Sequence, residues 1–128
     1  MKNCSLSAAM DEQAIVQNIR REERKRQQLL EKRIEAAWRE VEILKTRFLE
    51  IDPALRKILL FGSLGKKQVR STNFDIDLAV KCSPDKYLQL VGVALDSDFK
   101  VDVVDLTTVN QNFRQFILQD SAVIYEQR

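Results

Sequence analysis

The chain has 128 residues, 45% of them hydrophobic and 31% charged, with a formal net charge of +2. That length fits one small domain with an appendage, large enough to bury a core without disulfides or a structural metal. The absence of histidine excludes histidine-based acid–base catalysis, Ser-His-Asp triads and most zinc sites, and two cysteines, Cys4 and Cys82, are too few for a zinc finger or a disulfide framework.

From Asp11 to about Glu50 neither glycine nor proline interrupts a stretch rich in Glu, Lys, Arg, Gln, Ala and Leu, the strong helix formers. One helix of about 60 Å is expected. Leu30, Ile34, Ala37, Val41, Leu44 and Phe48 repeat at 4-3-4-3-4 spacing, a heptad-like seam that Trp38 and Leu49 widen. The end of the seam, Val41, Leu44 and Phe48, is expected to pack on the domain that follows. Leu29, Leu30, Ile34 and Trp38 are expected to lack a partner within the chain and to meet a second copy or another protein. Upstream, Arg20 to Gln28 holds no apolar residue, so it faces solvent or a partner.

Residue choice changes near Asp52-Pro53. Glutamate occurs eight times up to Glu50 and once afterwards, whereas nine of the ten aspartates lie from Asp52 onward. Asp, Gly, Asn, Thr and Val favour turns, caps and strands, so residues 1–50 read as a helical arm and 51–128 as a mixed α/β domain. Ile58–Phe61 is a continuous apolar run, a buried strand entering a tight turn at Gly62-Ser63. Asp75–Val80 is a second strand. A helix over 84–95 is expected, with Ser83 as N-cap and Pro84 at its first position. Val101–Val104 is a third strand, Thr108 or Asn110 opens a last helix, and Ala122–Tyr125 closes with a short strand. Strands interleaved with helices make an α/β (α+β) layer structure, a small mixed sheet with flanking helices behind the long N-terminal helix.

Asp75 and Asp77 are two apart on a strand, so both leave one face, roughly 7 Å apart along the backbone. Two carboxylates so placed repel each other unless they are solvated or share a cation, and Mg²⁺ prefers such an all-oxygen set. Asp102 shares a strand face with Val104 and Leu106, a poor place for an unpaired charge, and a metal shared with Asp75 and Asp77 would compensate it. Asp105 falls on the other face, where turn capping explains it. Asp96 and Asp98 read as loop solvation. The Gly62-Ser63 turn offers backbone N–H groups and a hydroxyl to an anion, or simply starts a helix with Ser63 as its cap. Together with Lys66, Lys67 and Arg70 it makes, beside the three aspartates, a site for a metal-bound polyphosphate.

Leu60-Phe61-Gly62-Ser63, then eleven residues, then Asp75-Ile-Asp77-Leu78, then Val101-Asp-Val-Val-Asp-Leu106 resembles the minimal nucleotidyltransferases of the DNA polymerase beta superfamily. Phe113-Arg114, Ile117, Asp120-Ser121 and Ile124-Tyr125-Glu126 resemble that family's ending. Where the family carries Arg-Ala-Arg-Gly after Gly-Ser, this chain has Leu64-Gly-Lys-Lys67. The resemblance implies a nucleoside triphosphate donor, ATP most often, and two Mg²⁺ ions, with Mn²⁺ as a substitute. It also implies a HEPN-domain toxin partner, whose tyrosine receives AMP in some members.

On that reading Asp75, Asp77 and Asp102 are the catalytic and metal-binding residues, and Gly62, Ser63, Lys66 and Lys67 hold the nucleotide phosphates. The alternative is a non-catalytic antitoxin or scaffold module that binds its partner, or a second copy as a homodimer, through the helical arm. Nucleic-acid binding through Arg20–Arg26 ranks last, because Glu22 and Glu23 interrupt the cluster and no aromatic is near to stack a base. The longest apolar runs are too short for a bilayer and the first residues lack a signal-peptide core, so a cytoplasmic protein with free thiols is expected.

Overall fold

A computed structural model describes residues 2–127, with side chains from Asp11 onward; Cys4 lies outside the described side chains. Helix α1 runs Lys2–Ile51. The chain divides into two compact units, Met1–Lys32 and Arg33–Arg128. The first is helical, with Ile15, Val16, Ile19 and Leu29 exposed and Leu30 buried. No helix among the described residues is long and apolar enough to cross a membrane.

The second unit adds β1 (Lys57–Phe61), α2 (Gly62–Gly65), β2 (Ile76–Lys81), α3 (Tyr87–Leu95), β3 (Val101–Asp105), α4 (Gln111–Gln119) and β4 (Ala122–Glu126). The four strands form one mixed sheet in the order β3-β2-β1-β4. β1 is antiparallel to both β2 and β4, whereas β2 and β3 are parallel. Parallel neighbours need a crossover, and α3 supplies it.

The alternation of side chains in the strands splits the core in two. Ile58, Leu60, Ile76, Leu78, Val80 and Val101 face Ala37, Val41, Leu44 and Phe48 of α1 and Leu90 and Ala94 of α3. Leu59, Phe61 and Ala79 point the other way and meet Leu106 and Ile117 of α4. The seam end Val41-Leu44-Phe48 therefore packs on the sheet, as its spacing predicts. Ile34 and Trp38 correct the expectation that they lack a partner: both are partly buried against the same core. The reason is reach, because helix residues three and seven positions before Val41 stay on the stripe that faces the domain.

One cap differs from the sequence reading, and another is settled between its two candidates. Helix α3 starts at Tyr87, not at residue 84, and its N-cap position, Lys86, makes no side-chain cap. Ser83 is occupied elsewhere: its N–H and its hydroxyl donate to the Asp52 carboxylate at 2.8 and 3.0 Å. Asp52 is 2% exposed, and these bonds, with Ala54 N–H at 3.2 Å, satisfy a charge that would otherwise be costly to bury. The link ties the end of α1 to the end of β2. Asn110, rather than Thr108, caps α4 by accepting from Phe113 N–H at 2.8 Å.

Candidate active site

The edge where β1 ends and β2 begins collects the acidic residues. In register, Phe61 lies opposite Asp77, and Asp77 lies beside Asp102 of the parallel strand. Ile76 between the two β2 aspartates is fully buried in the main core, which turns Asp75 and Asp77 to the opposite face. Asp75 stands one residue before the strand proper and is half-buried, like Asp77. Asp102 corrects one expectation: it is exposed, so burial beside Val104 does not force a partner on it.

Burial pushes the Asp77 carboxyl up from an ordinary 3.8 to about 6, with Asp102 and then Asp75 adding repulsion and Lys100 opposing it. Asp77 thus senses both of the other carboxylates. Lys100 supplies the neighbouring cation, its Nζ 3.6 Å from Asp75 Oδ2. Among the described residues no three acidic or thiol groups converge as a finished ligand cage. The donor set is nonetheless all-oxygen and carries excess negative charge, which suits a hard divalent ion.

A carboxyl whose folded pKa exceeds its unfolded one binds its proton more tightly in the folded chain. Stability contributed by protonated Asp77 is therefore present below about 4 and lost as pH rises to about 6. Asp77→Asn should be more thermostable than wild type at pH 7.5, and the difference should vanish near pH 4. Melting curves at both pH values check this, and a gain that persists at pH 4 would contradict it.

Gly62 adopts φ +75°, and a Cβ there would sit 2.2 Å from Asp77 Oδ2 and 3.2 Å from its Cγ. This glycine is required by the carboxylate beside it as much as by the turn. Ser63 is exposed. It does not cap α2, whose N-cap position is Phe61 with no side-chain bond. Lys67 takes φ +59°, a left-handed conformation that costs a side-chain-bearing residue more than it would glycine.

An open cavity of about 600 Å³ lies over the cluster, lined by Ser63, Arg70, Asn73, Asp75, Asp77 and Lys100 among others. Lys66 and Lys67 are not among its lining. Lys66 Nζ is 3.8 Å from Asp120 Oδ2 and 4.7 Å from the centre of the Phe116 ring. Lys67 borders a separate apolar groove with Ile34, Trp38, Leu64 and Val69. The reading from sequence missed Lys100, although its position two residues before Asp102 on the same strand face was a usable signal.

Asp105 is buried, and its Oδ1 accepts from Thr107 N–H at 2.9 Å and from the Thr107 hydroxyl at 2.7 Å. That is the turn role expected of it. Cys82 is no nucleophile: burial, Asp105 and Asp52 push its thiol up to about 11.

A family model described as polymerase beta, nucleotidyltransferase, matches residues 42–128. A search of curated proteins gave no match. Among solved structures, a toxin–antitoxin crystallised with AMP-PNP is 26% identical with a TM-score of 0.55, covering 68% of this chain and 74% of that one. A mutant of the toxin–antitoxin MntA–HpeT is 26% identical with a TM-score of 0.51, covering 65% and 70%. A protein from Sulfolobus solfataricus provisionally classed as a nucleotidyltransferase shares the fold at 14% identity and a TM-score of 0.50, covering 74% of this chain and 87% of that one.

Proposed function

Because the chain belongs to the polymerase beta nucleotidyltransferase family, we propose that it transfers a nucleoside monophosphate, AMP from ATP, to a hydroxyl of a partner protein. The observation that carries this reading is that Asp75 and Asp77 line a cavity with Ser63 while Asp102 stands beside Asp77 on the next strand. The likeness to a toxin–antitoxin crystallised with AMP-PNP supports an adenine nucleotide and a protein partner. A tyrosine of a HEPN-type toxin is the acceptor that the family resemblance favours. The exposed arm residues Ile15, Val16, Ile19 and Leu29 offer the contact for that partner or for a second copy.

Asp75, Asp77 and Asp102 are the residues that would hold two Mg²⁺ ions. When bound, these neutralise the phosphates and acidify the acceptor hydroxyl. The acceptor oxygen would form a bond to the α-phosphorus as its proton passes to Asp102, while the α–β bridge bond breaks and pyrophosphate leaves. Asp102, exposed beside Asp77, is the carboxylate most accessible to an incoming hydroxyl. Ser63 can donate its hydroxyl hydrogen to a phosphate oxygen, and Gly62 leaves Asp77 room at the turn. Alignment and charge account for most of such a transfer.

A second reading is favoured by one observation. Lys66, in the family's arginine position, is drawn to Asp120 and Phe116 instead of the cavity. That suits a non-catalytic antitoxin or scaffold that has kept the fold. Nucleotide binding separates the two. Mg²⁺ with ATP should raise the melting temperature by mass action. Asp102→Asn should remove most of the gain, whereas Asp105→Asn should keep it even if its own baseline is lower. No gain in wild type would favour the scaffold, and equal gains in wild type and Asp102→Asn would remove Asp102 from the site.

A further inference from the structure

The cations nearest the acidic cluster are not those of the Gly-Ser loop. Lys100 and Arg70 line the cavity with Asp75 and Asp77, whereas Lys66 and Lys67 do not. Ile76 N–H donates to the Lys100 carbonyl at 2.9 Å, which places Lys100 alongside Asp75 just before β2 and β3 pair. Asp77 and Asp102 pair directly in the register that follows. Side chains two apart on a strand share a face, so Lys100 and Asp102 lie beside Asp75 and Asp77 at this end of the β2–β3 pair.

The Lys100 contact is a loose one. The Lys100–Asp75 pair spans 3.6 Å, with the lysine side chain 73% exposed and the aspartate 41% exposed. Such a pair contributes little to stability and exchanges readily. Arg70 is exposed and forms no ion pair among the described residues. A divalent cation held by the carboxylates would compete with Lys100 for Asp75, and the freed ammonium would remain at the wall of the same cavity. A polyphosphate bound with that cation would then have two positive side chains, Lys100 and Arg70, at that wall.

We propose that Lys100 and Arg70, and not Lys66 and Lys67, hold the polyphosphate of the donor, and that Lys100 changes partner from Asp75 to phosphate when metal and nucleotide bind. Both are positioning residues. The inference rests on the nucleotidyltransferase reading for the identity of the polyphosphate. It keeps Arg70 from the sequence expectation and puts Lys100 in place of Lys66, which pairs with Asp120, and Lys67, which borders the apolar groove.

Calorimetric titration of the full chain with inorganic tripolyphosphate plus Mg²⁺, and separately with Mn²⁺ alone, tests it. Lys100→Met and Arg70→Met should each weaken tripolyphosphate binding about tenfold, the scale of a solvent-exposed charged contact. The double variant Lys66→Met/Lys67→Met should change it less than about twofold. Lys100→Met should also bind Mn²⁺ alone more tightly than wild type, because the competing ammonium is gone, and Lys100→Arg should restore tripolyphosphate binding. Loss of affinity in the Lys66/Lys67 variant with none in the other two overturns the proposal. So does weaker Mn²⁺ binding in Lys100→Met. If wild type binds magnesium tripolyphosphate with this pattern but never transfers a labelled nucleotide, the functional reading fails and the anion site stands.

Discussion

Phe48→Ala should destabilise the folded domain by about 3–5 kcal/mol, the usual range for removing a buried aromatic ring. Phe48 is fully buried, and it joins Val41 and Leu44 of α1 against Ile58, Leu60, Leu78 and Val80 of the sheet. Its ring fills space between helix and sheet that no flexible surface group can reoccupy, so the cavity term adds to the lost transfer energy. Ile15→Ala, on an exposed position of the same helix, should stay within about 0.5 kcal/mol. Urea denaturation of the full chain measures both. A cost below about 1 kcal/mol for Phe48→Ala would mean that this turn of α1 does not belong to the core.

Gly62→Val should combine structural and functional loss. A non-glycine residue at φ +75° is strained, and the new Cβ would overlap Asp77 Oδ2 at 2.2 Å. We expect a cost of about 2–3 kcal/mol together with loss of Mg²⁺-dependent ATP stabilisation, because Asp77 must move. The cause can be isolated. In Gly62→Ala/Asp77→Ala the carboxylate that the methyl strikes is gone, so the double variant should cost less than the sum of its parts. Strict additivity would assign the glycine to the turn alone.

Much of the fold could be read from the chain because the relevant signals are local. The 4-3 seam of α1, the apolar run of β1 and the Asp-x-Asp of β2 each declare their own element and face. What could not be read depended on long-range partners. Ser83 before Pro84 has every local mark of a helix cap, yet Asp52, thirty-one residues earlier, takes its hydroxyl. Ile34 and Trp38 gave no sign of how far along α1 the domain extends. The site shows the same division. Spacing put Asp75 and Asp77 on one face, and apolar neighbours suggested Asp102 as a third carboxylate; Asp102 is exposed, but the register sets it beside Asp77. The basic side chains are different, because a lysine close in sequence to Gly-Ser need not be close to it in space. Lys66 finds Asp120 and Phe116 across the fold, while Lys100 arrives from β3.

The central claim is that the Asp75-Asp77-Asp102 edge transfers a nucleotide to a hydroxyl of a partner. The direct measurement isolates the protein with whatever co-purifies, adds α-³²P-ATP and Mg²⁺, and follows the label on a denaturing gel. Wild type should move label onto the partner chain, and Asp75→Asn/Asp77→Asn, mixed with the same partner, should reduce transfer by at least about a thousandfold, since most of the rate acceleration would be lost. Labelling of the partner at equal rates by wild type and the double variant would contradict the account.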